Sequence, residues 1–344
     1  MAYTTINKSS LFQNTKLYTG NGGTNAQTGV GFQPDWIWFK RRDGSDNHIV
    51  FDVVRGVTKG IYPDLSNAED TLANSLSSFN SDGFTLGADT GSGGAINGSG
   101  ESCVAWNWKA GTAVSGNTGG SGSYKAYSGS VNATAGFSII KYIGNGSGGH
   151  TIPHRLGVAP SNVIIKAVTS NSWICKMQGY NGYLYLNESN AGTSNSNWLP
   201  TDANNLTLAN NWGAYNTNNV TYVAYCFSEK VGYSKFGKYT GNGNADGPFT
   251  YTGFKPAFVM IKRTDAVKNW YINDNKRNGY NPSNPYLSPN LNAAETGGTE
   301  INILSNGFKI TASGTGHNQS GGSYIYMAFG QSIVGTNNVP ATAR

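Results

Sequence analysis

The sequence predicts an all-β protein made of three tandem antiparallel β-sandwich repeats of the jelly-roll type. Composition is the first observation, because 47 glycines and 12% aromatic residues are typical of short strands joined by tight turns. The second is a strand motif with glycine and proline that occurs three times. The third is a closing strand, in which an alanine stands between an apolar and an aromatic residue, at 103–108, 222–227 and 324–329.

The repeated strand motif has a glycine, a proline three residues later, an apolar run and a lysine. Proline fixes φ and has no N–H to donate, so it suits the entrance of a strand, and the run after it has the length of a buried strand. The copies lie at 31–43, 157–166 and 253–265. Before each copy, a short strand runs into a Gly-Asn-Gly turn, at residues 20–22, 144–146 and 241–243.

The spacing of the copies predicts whole domains. Gly31, Gly157 and Gly253 are separated by intervals of 126 and 96 residues, whereas solenoid repeats span roughly 20 to 50 residues. Much of the longer interval has the Gly- and Ser-rich composition of a flexible linker. The predicted organisation is an N-terminal arm at 1–15, sandwiches at 16–109, 137–232 and 233–330, a linker at 110–136 and a C-terminal tail at 331–344.

An acid and an arginine follow the repeated strand in two copies. Asp52 precedes Arg55 by three residues, Asp274 precedes Arg277 by three, and the middle copy lacks both. We interpret these as recurrent structural ion pairs, because ion pairs at strand ends most often serve the fold. The alternative is a groove that brings together the carboxylates of a glycosidase, with four acids as candidates: Asp52, Glu69, Asp274 and Glu295.

Two pairs of tryptophans stand two residues apart on strands, so each pair shares one face of its sheet. Such pairs can stack on sugar rings, which makes them candidate glycan or partner contacts. Burial on both faces is the preferred interpretation, because the residues between them are apolar as well. The candidates are Trp36, Trp38, Trp106 and Trp108. Asn- and Ser-rich loops at 189–197 and 210–219 are the favoured contact surfaces.

The remaining features argue against several functional classes. Three cysteines lack the spacing of a metal site, and no common catalytic or nucleotide-binding motif is present, so we expect neither an enzyme nor a cofactor. A net charge of +6 is small for 344 residues, so nucleic acid is not an expected partner. No apolar run has the length of a membrane span, and the first residues do not resemble a secretory signal.

Several segments together resemble virion proteins of marine tailed bacteriophages, which are described as tail-fibre or structural proteins with a repeated domain of unknown function. These segments are MAYTTIN at 1–7, TKLYTG at 15–20, SFNSDGFTLG at 78–87, VAWNWKA at 104–110 and VPATAR at 339–344. The resemblance covers essentially the whole chain. It implies a place in a phage particle that is assembled in the host cytoplasm, and it supplies no catalytic residues.

The leading hypothesis is therefore a non-enzymatic virion protein that acts through contacts with other virion proteins and a host surface glycan. Within it, a tail fibre or receptor-binding spike competes with a decoration protein of the head. A homo-oligomer or a pseudo-threefold assembly is compatible with three related domains in one chain. The alternative from another class is a carbohydrate-active enzyme, a depolymerase on the virion.

Overall fold

The computed structural model describes residues 4–88, 96–281, 285–298 and 300–331, and it confirms the all-β fold. Within these residues the helical structure is one 3₁₀ turn, Ser9–Leu11. None of the described residues forms a helix long and apolar enough to cross a membrane. The C-terminal tail predicted at 331–344 lies outside the described residues except for Gln331.

Twenty-seven strands are described. The first region contains β1 Gln13–Thr19, β2 Asn25–Gln27, β3 Trp36–Arg41, β4 Ile49–Asp52, β5 Lys59–Gly60, β6 Asp70–Thr71, β7 Leu76–Asn80, β8 Gly83–Leu86 and β9 Ser102–Trp108. The second contains β10 Thr112–Asn117, β11 Gly119–Gly120, β12 Ala126–Asn132, β13 Phe137–Ile143, β14 His150–Pro153, β15 Asn162–Ala167, β16 Ile174–Lys176, β17 Gly182–Tyr185, β18 Thr193–Ser194, β19 Asn205–Leu208 and β20 Thr221–Phe227. The third contains β21 Ser234–Thr240, β22 Phe249–Tyr251, β23 Pro256–Arg263, β24 Trp270–Asp274, β25 Ile301–Leu304, β26 Gly307–Ile310 and β27 Ser323–Gly330.

The three regions share the strand order of their larger sheet. The larger sheet runs β1-β9-β3-β4 in the first region and β21-β27-β23-β24 in the third, and the second region contains the same order as β13-β20-β15-β16. A smaller three-stranded sheet accompanies each, with orders β2-β8-β7, β11-β14-β19 and β22-β26-β25. The strand pairs in all of these sheets are antiparallel.

The strand register defines which residues correspond between regions. Tyr18, Tyr142 and Tyr239 each precede a Gly-Asn-Gly turn by two residues, and their partners on the closing strands are Cys103, Tyr222 and Tyr324. Counting along those strands makes Tyr326 the counterpart of Ala105 and Ala224. The alanine of the third closing strand, Ala328, therefore lies two residues further along its strand than Ala105 and Ala224 do. Side-chain size alone does not define register, whereas the hydrogen-bonded ladder does.

The stretch predicted as a linker, 110–136, differs from the structure. It forms β10, β11 and β12, and β10 and β12 extend the large sheet of the second region beyond β13. The Gly- and Ser-rich composition was interpreted as a sign of flexibility. In the structure it reflects strand positions that are exposed and therefore tolerate small residues. The predicted arm at 1–15 also differs, because β1 begins at Gln13 and Ile6 is 1% exposed within the core.

Four hydrophobic cores hold the sheets together. Three of them lie within single regions, one for each. The fourth is shared, because it combines residues from the inner faces of all three large sheets, among them Trp36, Trp106, Tyr225, Phe258 and Phe329. Each large sheet is thus covered on both faces, which explains why its central strands are apolar throughout rather than alternating.

The Gly-Asn-Gly turns are each closed by a buried asparagine from a later loop. The Oδ1 atoms of Asn97, Asn216 and Asn318 accept the backbone N–H of the turn asparagines at 3.1, 3.2 and 2.8 Å. The first glycine of the turn is required because another backbone segment passes close to it. A Cβ at Gly241 would lie 2.3 Å from the carbonyl oxygen of Gln319.

Candidate functional site

The three regions meet pairwise around the shared core, and residues at corresponding positions form each junction. Trp173 of the second region donates its indole N–H to the Tyr62 carbonyl of the first at 2.7 Å. Trp270 of the third region donates in the same way to the Tyr185 carbonyl of the second at 2.9 Å. The strand register makes both pairs counterparts. Since the donor always reaches the preceding region, the contacts follow a cyclic order.

The third junction closes this ring with a histidine. His48 corresponds to Trp173 and Trp270, and it faces the backbone of Ser288, which corresponds to Tyr62 and Tyr185. The Nε2 atom of His48 does not meet hydrogen-bond geometry there, so this contact is weaker than its two counterparts. Its Nδ1 atom accepts the Trp38 indole N–H at 2.9 Å. Burial lowers the pKa of His48 well below its usual value.

A backbone hydrogen bond repeats at all three junctions. Its donors are the backbone N–H groups of Glu69, Gly192 and Glu295. These lie seven residues after Tyr62, Tyr185 and Ser288. Their acceptors are the carbonyl oxygens of Val168, Thr264 and Arg42, at 2.8, 2.8 and 2.7 Å. Each of these three hydrogen bonds joins two different regions. These bonds link the first region to the second, the second to the third and the third back to the first.

The recurrent Asp–Arg pairs lie at two of these junctions and are almost fully buried. Arg55 Nε donates to Asp52 Oδ2 at 2.6 Å, and Arg277 makes the same bond with Asp274 at 2.6 Å. Each arginine also bonds a second acid, Glu69 or Glu295, at 3.1 and 3.2 Å. The four acids proposed as glycosidase carboxylates are therefore divided between two arginines as ion-pair partners.

Each buried pair also receives a hydrogen bond from the neighbouring region. Tyr225 donates its hydroxyl to Asp52 at 2.7 Å, and Trp106 donates its indole N–H to Asp274 at 3.0 Å. The strand register makes Tyr225 and Trp106 counterparts. Burial by itself would raise the pKa of Asp274, but the charge and hydrogen bonds of Arg277 lower it below the usual value. This carboxylate is therefore ionised.

The junction between the second and third regions replaces this polar cluster with apolar residues. Met177 stands at the position of Asp52 and Asp274, and Met327 stands where the donors Tyr225 and Trp106 lie. Tyr180 takes the position of the arginines and packs against the shared core. The acid, its arginine and its donor are replaced together. This agrees with the rule that a buried charge is costly once its partner is removed.

The tryptophan pairs predicted as glycan or partner contacts lie in the shared core. Trp36, Trp38, Trp106 and Trp108 are at most 2% exposed, so they cannot contact a glycan in this fold. Trp36 stacks on Tyr225 with ring centroids 4.8 Å apart. The preferred interpretation, burial, is the one the structure supports. The sequence could not reveal the reason, because the second covering layer comes from the other two regions.

Three lysines that end the repeated strands are also buried. Lys40, Lys166 and Lys262 have no exposed surface. Each Nζ donates to the carbonyl oxygen of the last residue of its strand and to one in the loop that follows, at 2.6 to 2.9 Å. Lys262 also reaches the Ser189 carbonyl of the second region at 3.2 Å. Burial lowers the pKa of each lysine to about 8. Their recurrence in the motif reflects loop anchoring.

Within the described residues, no group of three or more His, Cys, Asp and Glu side chains is placed to hold a metal ion. All three cysteines are free and buried, and burial raises the pKa of Cys103 and Cys226 to about 12. A thiolate is therefore strongly disfavoured at these positions. This agrees with cysteine acting as a small apolar residue.

Comparison with known proteins gives one match. The family model described as "Domain of unknown function (DUF7483)" matches residues 8–332, which include all three regions. No curated protein and no solved structure matches the chain.

Proposed function

The chain belongs to the DUF7483 family, and we propose that it is a non-enzymatic structural protein of a tailed-phage particle. The observation that carries this proposal is the cyclic set of junction contacts around one shared core. Such a body has the internal symmetry of a trimer but needs no assembly step. It is suited to a threefold or pseudo-threefold position, where it contacts other virion proteins.

The buried polar groups support a structural role. Each buried Asp–Arg pair accepts a hydrogen bond from a neighbouring region, through Tyr225 or Trp106, so these polar atoms are occupied by bonds within the protein. One family model matches residues 8–332, which include all three regions. The resemblance of the sequence to marine phage virion proteins supplies the proposed setting, with assembly in the host cytoplasm.

Two placements follow from the proposal, a tail fibre or receptor-binding spike and a decoration protein of the head. Electron cryomicroscopy of intact virions, with this chain traced into the density, distinguishes them. Copies confined to the tail would support a role in host binding, whereas copies spread over the capsid lattice would support decoration. Purified virions that lack the chain by mass spectrometry would overturn the proposal.

The alternative is a depolymerase on the virion. It requires two free carboxylates on either side of a glycosidic bond, and the acids first considered for this role are bound to Arg55 and Arg277. An assay for new reducing ends, with capsular polysaccharide as substrate and purified protein, tests it directly. Release of oligosaccharides that persists in an Asp52→Asn variant would locate activity elsewhere in the chain.

A further inference from the structure

Two junctions carry a cavity at corresponding places on the outside of the ring. The cavity between the first and second regions measures about 430 Å³, and the one between the second and third about 460 Å³. Each is lined by the end of a corresponding strand of the later region, β13 or β21, with a lysine, Lys141 or Lys238, at the same position. These volumes lie in the usual range for small-ligand sites.

The corresponding place at the third junction is occupied by an ion pair. Arg42 stands where the other junctions have Val168 and Thr264, and its guanidinium binds both oxygens of Glu295 at 2.9 Å. The position of Lys141 and Lys238 is taken by Leu17, which packs against the shared core. The Arg42 side chain therefore fills, at the third junction, the space that is open at the other two junctions.

The cavity between the second and third regions has the more polar lining, here called the 2–3 cavity. The residues that line it include a lysine, an aspartate, three residues with aliphatic hydroxyls and a tyrosine, namely Lys238, Asp265, Ser194, Thr240, Ser323 and Tyr180. No described residue forms a hydrogen bond or ion pair with Lys238 Nζ in this structure. The hydrogen bond from Arg263 lowers the pKa of Asp265, so its carboxylate is ionised. It would repel a simple anion.

Two glycines of the second region allow neighbouring side chains to lie close to the backbone at this cavity. A Cβ at Gly192 would lie 2.4 Å from the Tyr180 ring, and a Cβ at Gly179 would lie 3.0 Å from the Lys238 side chain. Gly179 also has a φ of +91°, in the region that favours glycine. The Tyr180 ring is thus held against the backbone of the second region. A ligand would meet a wall that is already ordered, which reduces the entropic cost of binding.

We propose that the 2–3 cavity binds a saccharide of one or two sugar units. A sugar ring needs hydrogen-bond donors and acceptors for its hydroxyls, together with an apolar surface for its C–H face. Lys238 supplies donors, Asp265 supplies acceptors and Tyr180 supplies the surface. The inference stands on the cavity alone and does not depend on a place in a phage particle.

The test is saturation-transfer NMR on the full chain, with methyl glycosides of glucose, galactose, mannose and N-acetylglucosamine as probes. We expect at least one probe to bind with a Kd on the order of 1 mM. Thr240→Trp, which places a large side chain into the cavity from an exposed position, is expected to abolish the signal. Lys238→Ala is expected to weaken binding about tenfold, the effect of losing roughly one hydrogen bond to a charged group.

Ile143→Trp is the matched control, because Ile143 occupies in the other cavity the position that Thr240 occupies here. It is expected to leave binding unchanged. The proposal is overturned if no probe binds the wild-type chain. It is equally overturned if binding survives Thr240→Trp, or if Ile143→Trp weakens it as much. Thermal melting of both variants establishes that they are folded.

Discussion

Trp106 donates its indole N–H to the buried carboxylate of Asp274 at 3.0 Å, although 168 positions separate the two residues in sequence. The guanidinium of Arg277 lies over the same indole, 5.6 Å from the ring centre. The first and third regions are thus joined by a tryptophan that serves the core with its ring and the ion pair with its N–H. This relationship makes the strength of the junction measurable.

Replacing Trp106 with Phe removes this donor while keeping an aromatic ring. We expect the free energy of unfolding to fall by about 3 kcal/mol or more, because a buried charged acceptor loses a hydrogen bond and the core loses volume. Urea denaturation followed by circular dichroism measures it. Met327→Leu, at the corresponding apolar position, is the control and should cost less than about 1.5 kcal/mol. Equal losses for both variants would contradict the role of the N–H.

Replacing Asp274 with Met leaves Arg277 buried beside only Glu295, which is partly exposed. We expect a loss of about 3 to 5 kcal/mol, the usual effect of removing one partner of a buried pair. The double variant Asp274→Met with Arg277→Tyr introduces the residue types of Met177 and Tyr180, which lie at the junction between the second and third regions. It should be more stable than Asp274→Met alone. Denaturant titration of both variants gives the comparison, and additive losses would show that the two positions act independently.

The buried His317 predicts a loss of stability in acid. Burial lowers its pKa from the ordinary value to about 3. Between about pH 6.5 and pH 3 the unfolded chain therefore binds a proton that the folded chain does not, so stability falls as the pH falls through this window. Glu300, 3.4 Å from His317, has a raised pKa because of burial and acts in the opposite direction.

His317→Gln should make stability less dependent on pH across this window. The measurement is the free energy of unfolding of both proteins at pH 7.5 and pH 4.5, by denaturant titration. From pH 7.5 to pH 4.5, we expect the free energy of unfolding to fall less for the variant than for the wild type. An unchanged difference would mean that His317 gains a proton in the folded chain as readily as in the unfolded one.

The turn glycine Gly241 tests the close approach of chain segments at the strand ends. Gly241→Ala places a methyl group against the Gln319 carbonyl, so we expect a loss of about 1 to 3 kcal/mol, the range of overpacking. Gly297→Ala is the matched control, because nothing described lies within 4 Å of a Cβ there. Thermal melting compares them. A fully stable Gly241→Ala protein would show that the turn can move.

The shared core predicts that the regions unfold together. Separating them would expose large apolar side chains such as Phe258, Met260 and Phe329, which are at most 2% exposed in the intact chain. We expect one unfolding transition for the full chain, with fluorescence and circular dichroism coincident. A fragment of residues 233–331 should aggregate or stay unfolded. Several separate transitions, or a stable monomeric fragment, would contradict this expectation.

The sequence by itself determined the all-β class and the strands that carry its recurring motifs. The apolar run after proline, the Gly-Asn-Gly turns and the closing strands depend on neighbouring residues, so they can be read without the fold. The Asp52 and Arg55 pair was recognised for the same reason, since its partners are three residues apart. The strands within 110–136 were missed, because their Gly- and Ser-rich composition is also that of a flexible linker.

Only the tertiary structure decided what surrounds each sheet. Trp36 and Trp106 would have exposed faces in a separate sandwich, and they are buried because the other two regions cover them. The donors Tyr225 and Trp106 meet their acids across junctions, as do Arg42 and Glu295. Such contacts depend on how distant segments are brought together, and nothing in local periodicity encodes that arrangement. The position of the 2–3 cavity follows from the same packing.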